Sequence, residues 1–363
     1  MLVGIHDQAG SPSDNWIAYC ETHGVPYKRV NCFATDIVSQ LRDCDGLLWW
    51  WMPVDPKAKL FARQLTLSLE LSGKIVFPSF RTCWQYDDKI GQKYLMESTG
   101  LPLIPTDIFY DREEALTWAK TARYPKVFKL CSSSFSENVW LVRRRTQAER
   151  LIRRAFAHGF PAKRRLFIFT QRLWRLRRDK NMSSFWIFLK GIARVLLPHL
   201  PGRAVPSREW GYAYFQDFIP ANNQVIYVLV LGGRACASRV TVRDGDFRAS
   251  GSGLVELGRP ETVPRQCIEL AFRAAEALGT EFIMLEILLE QEKPLIIETD
   301  PYFYPDVTFS GFWDKSLRWH EKPVSPGQAI IEKFLENLPG ANHSAPALRE
   351  IRFDPSNVVA DRS

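Results

Sequence analysis

Residues 294–302 read PLIIETDPY, an apolar run carrying two carboxylates, Glu298 and Asp300, before it stops at a proline. Side chains alternate across a strand, so Ile296, Glu298 and Asp300 are expected on one face. Just upstream lies a second apolar run, FIMLEILL (282–289), and the short polar stretch EQEK separates the two. Folded as a hairpin centred on Glu292, the pair sets Glu286 opposite Glu298, with Asp300 one step along. The other face then holds Leu285, Ile287 and Leu289 against Leu295 and Ile297. Like charges directly opposite each other destabilise a sheet pair, and buried ions without partners cost several kcal/mol. Three acids gathered this way fit a hard dication between them. All-oxygen donors favour Mg²⁺, which takes one or two carboxylates and completes its shell with water and phosphate oxygens. The alternative is a shifted turn register with one acid pointing to solvent.

The same chain offers groups for phosphate. In PKVFKLCSSSFSENV, Lys129 ends an apolar strand and is followed by Ser132, Ser133, Ser134 and Ser136. A strand lysine and a loop of backbone N–H groups and hydroxyls can hold phosphate oxygens. A serine-rich turn is the plainer reading. Lys89, at a helix start in DDKIGQKY, is a further cation.

Residues 1–86 alternate short apolar strands with capped helices, the pattern of a small parallel α/β unit. It contains no GxGxxG. Helical signals follow at DDKIGQKYLMESTGLP, REEALTWAKTA and TQAERLIRRAFAHG, with a strand at KVFKLC between the last two. Then come YAYFQDFI, a hairpin signal at Gly232-Gly233, and an amphipathic helix, RQCIELAFRAAEALG. Residues 160–210 form an unusual insertion. Eight basic residues lie between Lys163 and Lys180, interleaved with Leu166, Phe167, Phe169, Leu173, Trp174 and Leu176. This reads either as a basic amphipathic helix for an anionic or membrane surface or as a solvated insertion. A polar tail is expected from Pro339 to Ser363.

The 363 residues are 46% hydrophobic and 24% charged, an ordinary globular composition with room for two or three packed units. The net charge of +8 favours anionic partners. Seven scattered cysteines without CxxC fit free thiols in a reducing compartment rather than a disulfide framework. No HExxH or zinc-finger spacing is present. Without a signal-peptide pattern or an uninterrupted apolar span, the expectation is a cytoplasmic protein.

Taken in order, these pieces resemble the ATP-grasp superfamily. DDKIGQKYLMESTGLPLIPT is similar to its "DK…K…L…GIP.P" segment, and YPKVFKL to the strand bearing its second nucleotide lysine. YFQDFI resembles the hinge that meets adenine, GDFRASGSG the "GDFR" stretch of ribosomal-protein glutamate ligases, and MLEILLEQEKPLIIETDPY the metal-binding hairpin. The resemblance runs from about Asp87 to Pro305. It implies an α/β fold of α+β ATP-grasp architecture: a pre-ATP-grasp domain (1–86), a part with the lid (87–217) and a core with the metal site (218–338). Residues of roughly 125–215 would form the lid. Lys89 and Lys129 would hold the α- and β-phosphates of ATP, joined by the serine loop. Gln216, Asp217, Phe218 and Ile219 would line adenine, Glu286, Glu298 and Asp300 would hold Mg²⁺, and Arg248 would neutralise the transferring phosphoryl group and the tetrahedral intermediate.

Three departures stand out. The metal set is Glu, Glu, Asp rather than Asp, Glu, Asn. The phosphate loop is rich in serine instead of glycine. The "DIR" expected near the hinge reads VIY (225–227).

The function implied is an ATP-dependent carboxylate–amine ligase working through an acyl phosphate. Similarity to proteins of surface-polysaccharide assembly suggests a uronic acid or amino acid as substrate. His6 and Asp7, at the end of the first strand, are candidates for the acceptor site, against a plain helix-cap loop. Two other readings stay open: a kinase using the same nucleotide site, and a non-catalytic protein using the basic insertion on nucleic acid or membrane.

Overall fold

The computed structural model describes residues 1–52, 55–132, 138–161 and 208–339, except 221, 244, 249–251, 253, 302 and 304–306, together with scattered positions between 173 and 189. The basic run 163–180 falls almost wholly outside the described residues, as does the tail beyond Pro339.

The first unit comprises β1 (Val3–His6), α1 (Pro12–His23), β2 (Tyr27–Val30), α2 (Ile37–Gln40), β3 (Gly46–Leu48), α3 (Pro56–Leu71), β4 (Ile75–Phe77) and α4 (Phe80–Cys83). The strands pair in parallel in the order β2-β1-β3-β4, as the alternating pattern predicts. Local chemistry sets the helix ends. Ser11 accepts the Ser13 N–H and Pro12 opens α1, while Gly24 closes it at φ +66°. Asp55 caps α3 through the N–H groups of Lys57 and Ala58. Two elements are short: α2 is a single turn, and β3 stops before the tryptophans. Trp49 is nevertheless fully buried and packs on Trp51 and Phe61, with ring centroids 4.7 and 5.5 Å away.

The middle part runs through α5 (Lys89–Ser98), β5 (Thr106–Phe109), α6 (Arg112–Thr121), β6 (Lys126–Lys129), β7 (Val139–Val142), α7 (Arg145–Phe156), β8 (Phe160–Pro161), β9 (Arg208–Glu209) and β10 (Ala213–Asp217). An antiparallel sheet, β5-β10-β6-β7, packs α6 and α7 on one face through Phe128, Phe215, Ala119 and Ile152. It joins β5 to the strands of the 125–215 span.

The last part holds β11 (Gln224–Leu231), β12 (Arg234–Thr241), β13 (Val255–Leu257), α8 (Arg265–Ala277), β14 (Phe282–Glu290), β15 (Lys293–Asp300), β16 (Phe312–Asp314), β17 (Trp319–His320) and α9 (Pro326–Asn337). Its antiparallel sheet runs β15-β14-β11-β12-β16-β17, with β13 also on β12. Gly232 and Gly233, both at positive φ, make the turn between β11 and β12. Both faces are covered. On β11, Val225, Tyr227, Leu229 and Leu231 join one core with α1 and α9, while Ile226, Val228 and Val230 join another with α8. This is the period-two split of a strand buried on both sides. Trp16 ties the first unit to this part by donating Nε1–H to the Gly327 carbonyl at 3.0 Å. Among the described residues no helix is long and apolar enough to cross a membrane.

Candidate active site

The β14–β15 hairpin turns through Gln291 and Glu292, at φ +48° and +70°, the left-handed pair of a tight hairpin. Glu286 stands opposite Glu298, as the sequence predicts, and Asp300 stands opposite Met284. Between these pairs and the turn the register slips by one residue, because Ile287 faces Ile296. This is a β-bulge, and it corrects the expected faces. The extra residue turns Ile296 into the core with Leu285 and Ile287, while Ile297 faces the cavity beside Glu298. A bulge puts two residues against one and re-aims the side chains next to it. Residues 102–104 cover the outer edge of β15, where the Ile296 N–H reaches the Pro102 carbonyl at 2.7 Å.

The cavity, about 210 Å³, lies between the β5-β10-β6-β7 sheet and this hairpin. One stretch of lining is apolar: Ile104, Val127, Ile219, Val225, Val242, Leu288 and Ile297. Its charged lining includes Lys89, Lys129, Glu286 and Glu298, with Asp217, Asp246 and Arg248 also on the wall. A larger hollow of about 380 Å³ opens by β7, α7 and β8, but among the described residues its lining holds no carboxylate.

Lys89 enters at the first turn of α5, which Asp88 caps through the Gly91 N–H at 2.8 Å. Its Nζ lies 2.8 Å from Glu298 Oε1, and its side chain is 4% exposed. Burial opposes its charge, but Glu298, Asp87 and Asp300 together hold its pKa above the usual lysine value. Lys129 donates to Gln216 Oε1 at 2.6 Å. No carboxylate among the described residues pairs with it at such a distance, and burial, then the nearby Lys89 charge, pulls it down to about 8. Burial, then repulsion from Glu298, lifts Glu286 to about 7, opposed by a hydrogen bond from Tyr227. Asp300 is raised well above the normal range by burial and by both glutamates. Three carboxylates thus share a buried region with two lysines. Their hard oxygens and their excess of negative charge fit a dication. As the side chains stand, no group of three His, Cys, Asp or Glu among the described residues is in metal-holding geometry; Glu298 is engaged by Lys89 instead.

No protein-family model matches the chain, and no curated protein matches it. Solved structures do match. D-cycloserine synthetase DcsG gives a TM-score of 0.53 at 12% identity, over 92% of this chain and 99% of that one. The biotin carboxylase domain of the Hydrogenobacter thermophilus 2-oxoglutarate carboxylase, solved with MgADP, ADP and bicarbonate, gives 0.54 at 13% identity, over 93% and 70%. A RimK domain ATP-grasp protein from Sphaerobacter thermophilus gives 0.50 at 15% identity, over 82% and 90%.

The chain has the ATP-grasp fold. Within this fold, Lys89, Lys129, Gln216, Asp217, Phe218, Ile219, Arg248, Glu286 and Glu298 all line one cavity. Asp300 belongs to the same electrostatic cluster. Ser132 sits at the foot of the serine loop and donates to Asp87 Oδ2 at 2.5 Å; Ser133 and Ser134 lie outside the described residues. Arg248 is held by Asp246, with Nε and an Nη 2.9 Å from its two carboxylate oxygens.

His6 is buried at the end of β1, with Nδ1 accepting the Cys32 N–H at 3.1 Å and Phe33 and Trp49 packed around it. Asp7 pairs with Arg29. Neither lines the cavity.

Sequence reasoning missed several supporting groups. Asp87 sits beside Lys89 at φ +52° and pairs with Lys59 of α3 at 2.5 Å. Lys126 bonds Asp217. Tyr227, which the sequence marks only as a departure from "DIR", faces Glu286 across the β11–β14 pair. A second acid beside Lys89 in DDK and the two-residue spacing of Asp246 and Arg248 were the available signals.

Proposed function

We propose that this chain is an ATP-dependent carboxylate–amine ligase. The observation that carries the reading is the convergence of Lys89, Lys129, Glu286 and Glu298 at one cavity of an ATP-grasp fold, with Asp300 in the same buried charge cluster. In this reading the apolar slot takes adenine, with Gln216, Asp217, Phe218 and Ile219 along its rim. Lys89 and Lys129 neutralise phosphate oxygens. Glu286, Glu298 and Asp300 hold Mg²⁺, which supplies charge neutralisation on the phosphates when bound. The substrate carboxylate attacks the γ-phosphorus of ATP, and ADP leaves. The amine then attacks the acyl carbon, loses a proton and expels phosphate, leaving an amide. Arg248, its plane fixed by Asp246, stabilises the oxyanion of that second step. Closing the cavity around the reacting groups excludes water that would hydrolyse the acyl phosphate.

For the substrate, a uronic acid or an amino acid in surface-polysaccharide assembly is the reading supported by the net charge of +8 and by the resemblance to proteins of that assembly. Contact of the 160–200 segment with an anionic membrane surface belongs to the same proposal.

The test is one incubation of the protein with ATP, Mg²⁺ and a pool of uronic acids, amino acids and simple amines, followed by mass spectrometry. A Glu298→Gln variant is the control. A product equal to two substrates less water, formed with ADP and absent from the control, is expected. A substrate carrying one added phosphoryl group would establish a kinase instead.

A further inference from the structure

In the ion pair of Lys89 and Glu298, each partner has a different destination under the ligase reading. The lysine is assigned to phosphate and the glutamate to metal, yet here they hold each other at 2.8 Å, both largely withdrawn from water. Asp87 and Asp300 also act on the lysine charge, and Glu286 stands opposite Glu298. Of the other described cations near this acid group, Lys129 is engaged with Gln216 and Lys59 with Asp87. Lys89 is therefore the cation placed on Glu298 itself.

We infer that Lys89 stands in for the dication in the nucleotide-free protein and makes metal binding wait for nucleotide. The inference rests on the metal reading of Glu286, Glu298 and Asp300. A buried carboxylate cluster needs compensating positive charge in every state of the molecule. Before nucleotide arrives, the Lys89 ammonium supplies it and engages Glu298 Oε1. Phosphate oxygens then draw the ammonium away. Glu298 is released just as a phosphate-bound dication becomes available to replace the lost charge. The exchange keeps the site compensated throughout, and it disfavours loading the acids with a free cation that has no phosphate attached.

The test is the affinity for Mn²⁺ alone, measured by electron paramagnetic resonance on the full chain without nucleotide. Lys89→Met should bind Mn²⁺ at least tenfold more tightly than wild type. Lys89→Arg, which keeps the charge, should stay close to wild type. Adding Glu298→Gln to Lys89→Met should remove the gain. Equal nucleotide-free affinity in wild type and Lys89→Met overturns the inference. The metal reading survives that result if wild type with a non-hydrolysable ATP analogue still binds Mn²⁺ and Glu298→Gln does not. Absence of Mn²⁺ binding even with the analogue removes the metal reading and the inference together. Should Lys89→Met not fold, wild-type crystals soaked in Mn²⁺ without nucleotide decide. Lys89 on Glu298 with no cation there supports the exchange, and Mn²⁺ bound to Glu298 overturns it.

Discussion

Lys89 and Glu298 are 209 residues apart in the chain and form a 2.8 Å ion pair at the charged lining of the cavity. The lysine comes from the first turn of α5, the glutamate from β15, and the pair joins that helix to the β14–β15 hairpin. Removing Glu298 takes the directly bonded carboxylate from the buried Lys89 charge and leaves the weaker support of Asp87 and Asp300. Glu298→Ala should lower the stability of the nucleotide-free protein by about 3–5 kcal/mol. Adding Lys89→Met should recover much of that loss. Urea denaturation of both single variants and the double variant reads the coupling directly, and additive losses would show that the pair contributes nothing as a unit.

Lys129 gives a pH signature. Its pKa in the folded protein is about 8, against 10.5 for an ordinary lysine. Between those values the unfolded chain keeps a proton that the native protein has released, so this group makes stability rise with pH across that window, by roughly 3 kcal/mol in full. Bound phosphate favours the charged lysine. Nucleotide affinity should therefore fall as pH rises above about 8, by up to tenfold per unit, until the pKa of the complex is reached. Calorimetric titration of a non-hydrolysable ATP analogue from pH 6.5 to 9.5 checks this. Lys129→Arg, charged throughout, should flatten the profile, and an unchanged slope in that variant would assign the dependence to another group.

Arg248 touches the cavity but is anchored by Asp246. As an oxyanion donor it should matter to turnover and little to nucleotide binding. Arg248→Gln should reduce kcat by 10²–10³ while analogue affinity stays within about threefold. Asp246→Asn, which loosens the guanidinium without removing it, should show a smaller loss of the same kind. A parallel loss of nucleotide affinity in both variants would instead make the arginine a phosphate ligand.

The first unit is fitted closely against α9. A methyl group added at Gly46 would clash with the Ile75 carbonyl oxygen and lie 2.7 Å from the Phe334 ring. Backbone cannot yield as a flexible side chain can. Gly46→Ala should cost about 1–3 kcal/mol, seen as a lowered denaturation midpoint, while the charged cavity stays intact.

A large part of this was legible in the chain. The β-α-β alternation of residues 1–86, the helix caps and the Gly232-Gly233 turn all follow from local rules. Those rules concern which φ values a residue tolerates, which side chains satisfy free N–H groups, and which face a strand buries. The short strands β5 and β7 and the helix α9 escaped notice. Their signals are weak without the partners that stabilise them, since β5 and β7 each have four residues and α9 is ordered by packing on α1 and the sheet.

The sequence by itself determined that acids sit on one hairpin, that lysines sit at a helix start and a strand end, and roughly where the sheets lie. Only the tertiary structure decided that Ile297, not Ile296, faces the cavity, because a bulge costs no more than one local kink and leaves no sequence signature of its own. It also decided which charges meet. Lys89 reaches Glu298 rather than solvent, Lys129 reaches Gln216 rather than an acid, and His6 turns inward to the Cys32 N–H. Those pairings depend on how separate elements close over one buried space, where desolvation makes each charge seek a partner that spacing along the chain does not name.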